Sequence, residues 1–321
     1  MALTETALIE RYFRSCGAQR ADVTLGIGDD AALLSVPAGS ELVAATDTLV
    51  AGVHFPAGSP PASIGHRALA VNLSDLAAMG ARPAWALLAL TLPEAQENWV
   101  EEFAAGLAAL LREHRVALVG GDTTRGPLTV TVQLLGLVPQ GTALRRSGAA
   151  AGEALFVSGT PGDAAAGLAL EQGRMQAPPE WRTYLRERFL WPSPRVALGE
   201  GLRGYASACI DVSDGLLGDA GKLAQASGVA AEISFAALPL SQALRGALDE
   251  ERARMLALSG GDDYELCFAV PAARVAQLHA DLPPQRWGYT QIGTLREGSG
   301  ARVVRDGSVM QFSHSGYQHF P

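Results

Sequence analysis

The sequence predicts an α/β protein of two domains. Three observations carry that expectation. The length of 321 residues is about twice that of a typical domain. Strand-like and helix-like segments alternate through both halves. A Gly/Ala/Arg-rich stretch, 140–152, interrupts that alternation. The expected domains are therefore 1–140 and 150–321. Apolar residues make up 48% of the chain and charged residues 18%, with 36 glycines. That composition can bury a core, needs many tight turns and excludes disorder.

The elements follow in chain order. Residues 1–13, MALTETALIERYF, place Glu5 and Glu10 inside what would have to be an apolar leader, so they read as an amphipathic helix. Residues 41–45 read as a strand. Between Pro60-Pro61 and Gly80, residues 63–78 carry Ile64, Ala68, Leu69, Leu73, Leu76 and Ala77 at helical spacing, which predicts a helix with one buried stripe. A second helix, 97–114, repeats the pattern with Val100, Phe103, Ala104, Leu107, Leu110 and Leu111, and Arg112 and His114 suit the negative end of its dipole. Strands follow at 116–119 and over the alternating segment 128–134. In the second half, strands at 154–158, 207–212, 232–235, 264–270, 291–295 and 301–304 alternate with helices at 163–171, 216–226, 251–258 and 272–279.

The longest apolar runs, such as 84–90, stop well short of the ~18 residues of a membrane span, so a cytoplasmic protein with no membrane partner is expected. Cys16, Cys209 and Cys267 are odd in number and form no C-x-x-C pair, so they read as buried small hydrophobes and not as disulfides or a zinc site. The net charge of -8 opposes nucleic-acid binding. Of 25 basic residues only Lys222 is a lysine, so arginine or metal ions would have to neutralise a bound phosphate.

Five places join an apolar segment to acids beside glycine or small polar residues: Gly26-Ile-Gly-Asp-Asp30, Thr46-Asp-Thr48, Gly120-Gly-Asp-Thr-Thr-Arg125, Asp211-Val-Ser-Asp-Gly215 and Gly260-Gly-Asp-Asp-Tyr264. A sixth acid, Asp75, shares a face of the first long helix with Asn72. Each alone is an ordinary turn or helix cap. As loops converging on one sheet edge they would crowd several carboxylates together, and cations would then be required. Oxygen ligands without a Cys/His cluster point to a hard ion, and Mg²⁺ bridging phosphate oxygens is its commonest use. The glycine loops could offer backbone N–H groups to phosphate, with Arg125, Arg145 and Arg146 as forked donors.

Three look-alikes fall away. Gly26-x-Gly-x-x-Ala31 has Asp29 and Asp30 where a pyrophosphate would approach. Residues 216–223 place Leu223 where a P-loop needs a hydroxyl, and read as an ordinary helix. His66-Arg67-Ala68 lacks the aspartate of a protein-kinase loop.

Taken in order, GIGDDAAL (26–33), TDTLVAGVHF (46–55), RALAVNLSDLAAMGARP (67–83), GGDTTRGPL (120–128), RSGA (146–149), SGTPGDAAAGL (158–168), IDVSDGL (210–216), GGDDYEL (260–266) and GYQHF (316–320) resemble the thiamine-monophosphate kinase family nearly end to end. That family is a branch of the aminoimidazole-ribonucleotide-synthetase-like ATP-binding enzymes. The resemblance implies their two-domain fold, with an N-terminal ATP- and metal-binding domain that dimerises through its sheet and a C-terminal α/β domain. It implies phosphoryl transfer from ATP to thiamine monophosphate with several Mg²⁺ ions, giving thiamine diphosphate, the last step of its biosynthesis. Carried over by position, it makes Asp30, Thr46, Asp47, Asp75, Asp122, Asp211 and Asp214 metal ligands. Gly121, Asp122, Arg146 and Ser213 become ATP contacts, and His54, Asp262 and Tyr317 substrate contacts. Against the family pattern, Ala45 replaces a common hydroxyl residue, and Asp262 is one methylene shorter than the usual glutamate.

A phosphate acceptor with a second pKa near ~6 is already an anionic nucleophile, so direct in-line transfer is expected, with no covalent nucleophile on the enzyme. Two other readings compete. A sibling synthetase of the same fold, if it made selenophosphate, would want a reactive cysteine, and Cys16 has no such setting. A non-catalytic metal-binding module would want a calcium loop of the D-x-[DN]-x-[DN]-G type, which the sequence lacks.

Overall fold

The computed structural model describes residues 4–312 and 316–317. The chain divides into two compact units, the first running up to Leu76 and over Ala81–Gly141, the second taking Ala77–Gly80 and the chain from Thr142 onward.

The first unit begins with α1 (Glu5–Leu8), which runs on as one π turn over Ile9–Phe13. It continues with β1 (Val23–Leu25), β2 (Leu33–Leu34), β3 (Ser40–Val50), α2 (Pro61–Ala78), β4 (Arg82–Leu92), α3 (Glu97–Glu113), β5 (Ala117–Arg125) and β6 (Thr129–Pro139). The last four strands form a sheet in the order β3-β6-β4-β5, antiparallel except for the β4/β5 pair. The apolar run 84–90 is the core of β4: Ala86, Leu88 and Leu90 are buried on one face, while on the other Trp85 is buried, Leu87 half-buried and Ala89 exposed.

Two expectations are corrected here. Thr46-Asp-Thr48 and Gly120–Arg125 lie inside β3 and β5 and not on loops, with Asp47 opposite Val132 and Asp122 opposite Ala89. Gly, Asp and Thr signal turns locally, but pairing with β6 and β4 overrides that preference. Nor does α2 bury a single stripe: Arg67, Asn72 and Ser74 are buried along with Leu69 and Leu73. Two glycines bring α2 and α3 into backbone contact, because a Cβ on Gly106 would lie 1.9 Å from the Ala62 carbonyl oxygen and one on Gly65 2.1 Å from that of Phe103.

The second unit comprises β7 (Ala154–Ser158), α4 (Asp163–Glu171), α5 (Pro179–Leu190), α6 (Val196–Leu202), β8 (Ala208–Val212), α7 (Leu216–Ser227), β9 (Ala230–Ser234), α8 (Gln242–Ala247), α9 (Glu250–Ser259), β10 (Glu265–Val270), α10 (Ala272–Asp281), α11 (Pro284–Trp287), β11 (Tyr289–Arg296), β12 (Gly300–Arg305) and β13 (Ser308–Val309). Its strands form one sheet in the order β13-β12-β9-β11-β7-β10-β8. The main core joins Leu155 and Val157 of β7, Ile210 and Val212 of β8, Leu216 and Leu223 of α7, and Ile292 of β11. Gly228, at φ 70°, stops α7 in the left-handed conformation, and its N–H returns to the last turn. Among the described residues no helix is long and apolar enough to cross a membrane.

Candidate active site

In the first unit, β3, the turn after it and α2 bring three of the expected residues together. The Asp47 and Asp75 carboxyl groups are in hydrogen-bonding contact, and His54 acts electrostatically on Asp47. Burial pushes the Asp47 carboxyl above the ordinary carboxylate range, against the lowering influence of the hydrogen bond with Asp75. Two carboxyl groups in contact share a proton or a cation, and an all-oxygen pair suits a hard divalent ion. The donor set therefore fits Mg²⁺. The Val50 N–H donates to Nδ1 of His54 at 3.0 Å, which puts the proton of the neutral ring on Nε2.

The other expected ligands of this unit are exposed. Thr46 is exposed and, by strand alternation, presents its side chain to the face opposite Asp47. Asp30 is exposed in the connection between β1 and β2, its N–H held by Oδ1 of Asp29 at 2.8 Å. Asp122 is exposed in β5 beside Gly121. Gly121, at φ 149°, lets β5 run so close to β4 that a Cβ would sit 1.8 Å from the Leu88 carbonyl oxygen. Among the described residues no three His, Cys, Asp or Glu side chains gather in a set able to hold a metal ion. The Asp47–Asp75 pair is what the structure assembles.

In the second unit the edge strand β8 carries a buried Asp211 and leads through Ser213, Asp214 and Gly215 into α7. That loop is satisfied on both sides. The N–H groups of Ser213, Asp214 and Gly215 all donate to Oδ2 of Asp219, at 3.0, 3.0 and 3.2 Å. The carbonyls of Val212, Ser213 and Asp214 accept from the N–H groups of Tyr264, Asp262 and Tyr317, at 2.8, 2.8 and 3.0 Å. Ser213, expected at ATP, is thus tied by backbone hydrogen bonds to the loop of Asp262, and its neighbour Asp214 to Tyr317, both expected at the substrate. These N–H groups are not open to a phosphate, since Asp219 fills them, which corrects the expectation for this glycine loop. The Nζ of Lys222 lies 2.5 Å from Oδ2 of Asp214 and 2.8 Å from Oδ1 of Asp219.

The Asp262 segment is conformationally strained. Gly261, Asp262 and Tyr264 have φ of 71°, 63° and 51°, and left-handed non-glycine residues persist only where their surroundings hold them. The Tyr264 hydroxyl donates to Oδ1 of Asp262 at 3.2 Å. Both oxygens of the buried Asp263 face the Gly162 N–H, at 2.9 and 3.0 Å, and burial holds its carboxyl well above the ordinary range. The exposed Arg146 is anchored through its carbonyl, which accepts from the Ser227 hydroxyl at 3.0 Å. Tyr317 is exposed, and residues 318–320 of its motif lie outside the described residues.

Two family models match this chain: AIR synthase related protein, N-terminal domain, over residues 28–138, and the corresponding C-terminal domain over 150–306. A thiamine-monophosphate kinase of Salmonella typhimurium is 49% identical across 100% of this chain and 99% of its own length. The chain belongs to the thiamine-monophosphate kinase family of AIR synthase related proteins. The crystal structure of thiamine-monophosphate kinase from Stenotrophomonas maltophilia matches with a TM-score of 0.87 at 50% identity, covering 97% of this chain and 99% of that one. AaThiL complexed with AMPPCP and TMP matches with a TM-score of 0.79 at 36% identity, covering 92% of each chain. The two-domain fold implied by the family resemblance is therefore this chain's fold.

Within this thiamine-monophosphate kinase framework, sequence reasoning assigns no role to four ionisable residues that shape the loops of the second unit. Asp219 and Lys222 are two, and an acid in the first turns of a helix that follows glycine is the signal for Asp219, because it can reach back to the open N–H groups. The others are Asp263 and Glu265. Glu265 is fully buried at the head of β10, where Nε and Nη2 of Arg195 each approach to 2.6 Å, Arg188 to 2.9 Å and the Ser158 hydroxyl to 2.5 Å. Burial acts to raise its carboxyl, and the two guanidinium groups and Ser158 outweigh it and hold it below the usual range. A glutamate opening an apolar strand is its signal. The three cysteines are buried. Burial pushes the Cys16 thiol up to about 11 and raises Cys209 and Cys267 as well, so none has the setting of a reactive thiolate.

Proposed function

We propose that this chain transfers the γ-phosphoryl group of ATP to thiamine monophosphate, giving ADP and thiamine diphosphate, by direct in-line displacement. The observation that carries this reading is 49% identity, over 99% of its length, with a thiamine-monophosphate kinase. The related complex with AMPPCP and TMP supports an ATP-like donor and a second substrate bound to one fold.

In this reading Asp30, Thr46, Asp47, Asp75, Asp122, Asp211 and Asp214 hold the Mg²⁺ ions, and the Asp47–Asp75 contact is the structural support for it. When bound, Mg²⁺ bridges phosphate oxygens and offsets their charge. Gly121, Asp122, Arg146 and Ser213 hold ATP, and His54, Asp262 and Tyr317 hold thiamine monophosphate. The acceptor phosphate is largely ionised at neutral pH, so these residues have to align and screen two anions and need not remove a proton. His54, with Nδ1 engaged by Val50, offers an N–H donor at Nε2 and no free base. A homodimer through the first unit's sheet belongs to the same reading, supported by the exposed Leu42 on the outer strand β3, as does a cytoplasmic location.

The test is incubation of the pure protein with ATP, MgCl₂ and thiamine monophosphate, followed by fluorescence detection of thiamine diphosphate after oxidation. Product is expected, and EDTA is expected to abolish it. Product from unphosphorylated thiamine, or none from the monophosphate, overturns the reading.

A further inference from the structure

Asp219 is buried at 1% exposure and sits one turn inside α7, beneath the loop that joins β8 to the helix. Its Oδ2 collects the N–H groups of Ser213, Asp214 and Gly215. Its Oδ1 is held by Lys222, whose second partner is Asp214. The open N–H groups at a helix start are ordinarily left for a ligand, water or a cap. Here the chain supplies its own anion. The opposite side of the same loop carries the hydrogen bonds from Tyr264, Asp262 and Tyr317, so whatever fixes the loop also fixes those residues.

We infer that Asp219 is a positioning residue of the phosphoryl-transfer site. With Lys222 it locks the Ser213–Gly215 loop, so that the nucleotide contact at Ser213 and the substrate contacts at Asp262 and Tyr317 keep one mutual arrangement. The functional half of this statement rests on the kinase reading, whereas the locking of the loop does not.

The chemistry selects the variants. Both oxygens of Asp219 act as acceptors, whereas an amide is acceptor at one end and donor at the other. In Asp219→Asn the NH₂ group must therefore face either the Lys222 ammonium or the three backbone N–H groups. In Asp219→Asn/Lys222→Met the amide oxygen can take the three N–H groups while its NH₂ group meets no cation. The second substitution should restore part of what the first removes.

Formation of thiamine diphosphate by the unaltered protein tests the kinase reading separately. For Asp219→Asn, the KM values for ATP and thiamine monophosphate are expected to rise together, each by about tenfold, the size of one lost hydrogen bond to a charged group. Amide hydrogen exchange in peptides covering 212–216 and 261–265 of the ligand-free protein is expected to accelerate. The double variant, which still lacks the Lys222 bridge to Asp214, is expected to recover part of both changes relative to Asp219→Asn. Unchanged KM values and exchange rates in Asp219→Asn, or a double variant no better than the single one, overturn the inference. If Asp219→Asn fails to fold, Lys222→Met carries the test, since it leaves Oδ2 of Asp219, the acceptor of all three N–H groups, in place: faster loop exchange supports the inference and unchanged exchange overturns it. If the unaltered protein makes no thiamine diphosphate, the kinase reading fails and the exchange rates alone decide whether Asp219 locks the loop.

Discussion

The backbone N–H of Tyr317 meets the carbonyl oxygen of Asp214 at 3.0 Å, while the Tyr317 side chain stays exposed. This main-chain anchor does not involve the ring. Tyr317→Ala is expected to raise the KM for thiamine monophosphate by about fivefold, the worth of a cation–π contact of ~1 kcal/mol with the cationic ring of thiamine. The KM for ATP should not move. An unaltered thiamine monophosphate KM in steady-state assays would rule out ring contact.

In the proposed function Asp75 and Asp122 hold metal, and neither is among the buried residues of the core. Replacing either with asparagine removes a charge that the bound cation needs and keeps the shape. Turnover is expected to fall by roughly 100-fold or more, with thermal stability unchanged for Asp122→Asn. For Asp75→Asn, loss of one of two adjoining carboxyl groups relieves repulsion, so the melting temperature should hold or rise. Near-normal kcat in a magnesium titration of either variant would remove that residue from the metal set.

Glu265 sets an acid limit on the second unit. Its folded carboxyl lies below the ordinary value, so its stabilising contribution is present above the unfolded pKa of ~4.3 and is lost as pH falls through the folded value. Glu265→Gln leaves Arg188 and Arg195 without their anion and is expected to cost about 3–5 kcal/mol at neutral pH. Urea denaturation across pH checks both points: the variant should be weaker at pH 7 and lose less stability below about pH 4. A variant as stable as the parent at pH 7 would show that the buried pair contributes nothing.

The contact between α2 and α3 tolerates no side chain at Gly106. Alanine there would place Cβ 1.9 Å from the Ala62 carbonyl oxygen, forcing the helices apart. Gly106→Ala is expected to lose about 3 kcal/mol despite its better helix propensity, read as a lower urea midpoint. An unshifted midpoint would mean that the helices separate at no cost.

Where apolar periodicity is local, the sequence and the structure agree closely. The helices α3, α4, α7, α9 and α10 and the strands β7, β8, β10 and β12 stand within a few residues of where their spacing predicts them. Three kinds of element escape that reasoning. The run 84–90 is uniformly apolar, and periodicity alone cannot tell a buried strand from a buried helix. The outer halves of β3 and β5 read as turns because Thr, Asp and Gly are turn residues. The charge-rich α5 buries only Leu185, Phe189 and Leu190, too few to mark a stripe.

The sequence alone determines which residue types are available for chemistry and where along the chain they recur: acids beside glycine, no histidine or cysteine cluster and a single lysine. It also determines the family, since the motifs survive in order. Tertiary structure decides which of those residues meet. Asp47 reaches Asp75 only because the turn after β3 folds α2 back against that strand. The N–H groups of the β8–α7 loop are closed to ligands because Asp219, neutralised by Lys222, lies beneath them. The reason is physical: propensity and periodicity are set by neighbours in the chain, whereas strand register and the pairing of buried charges are set by the summed burial of distant segments, which no short stretch of sequence encodes.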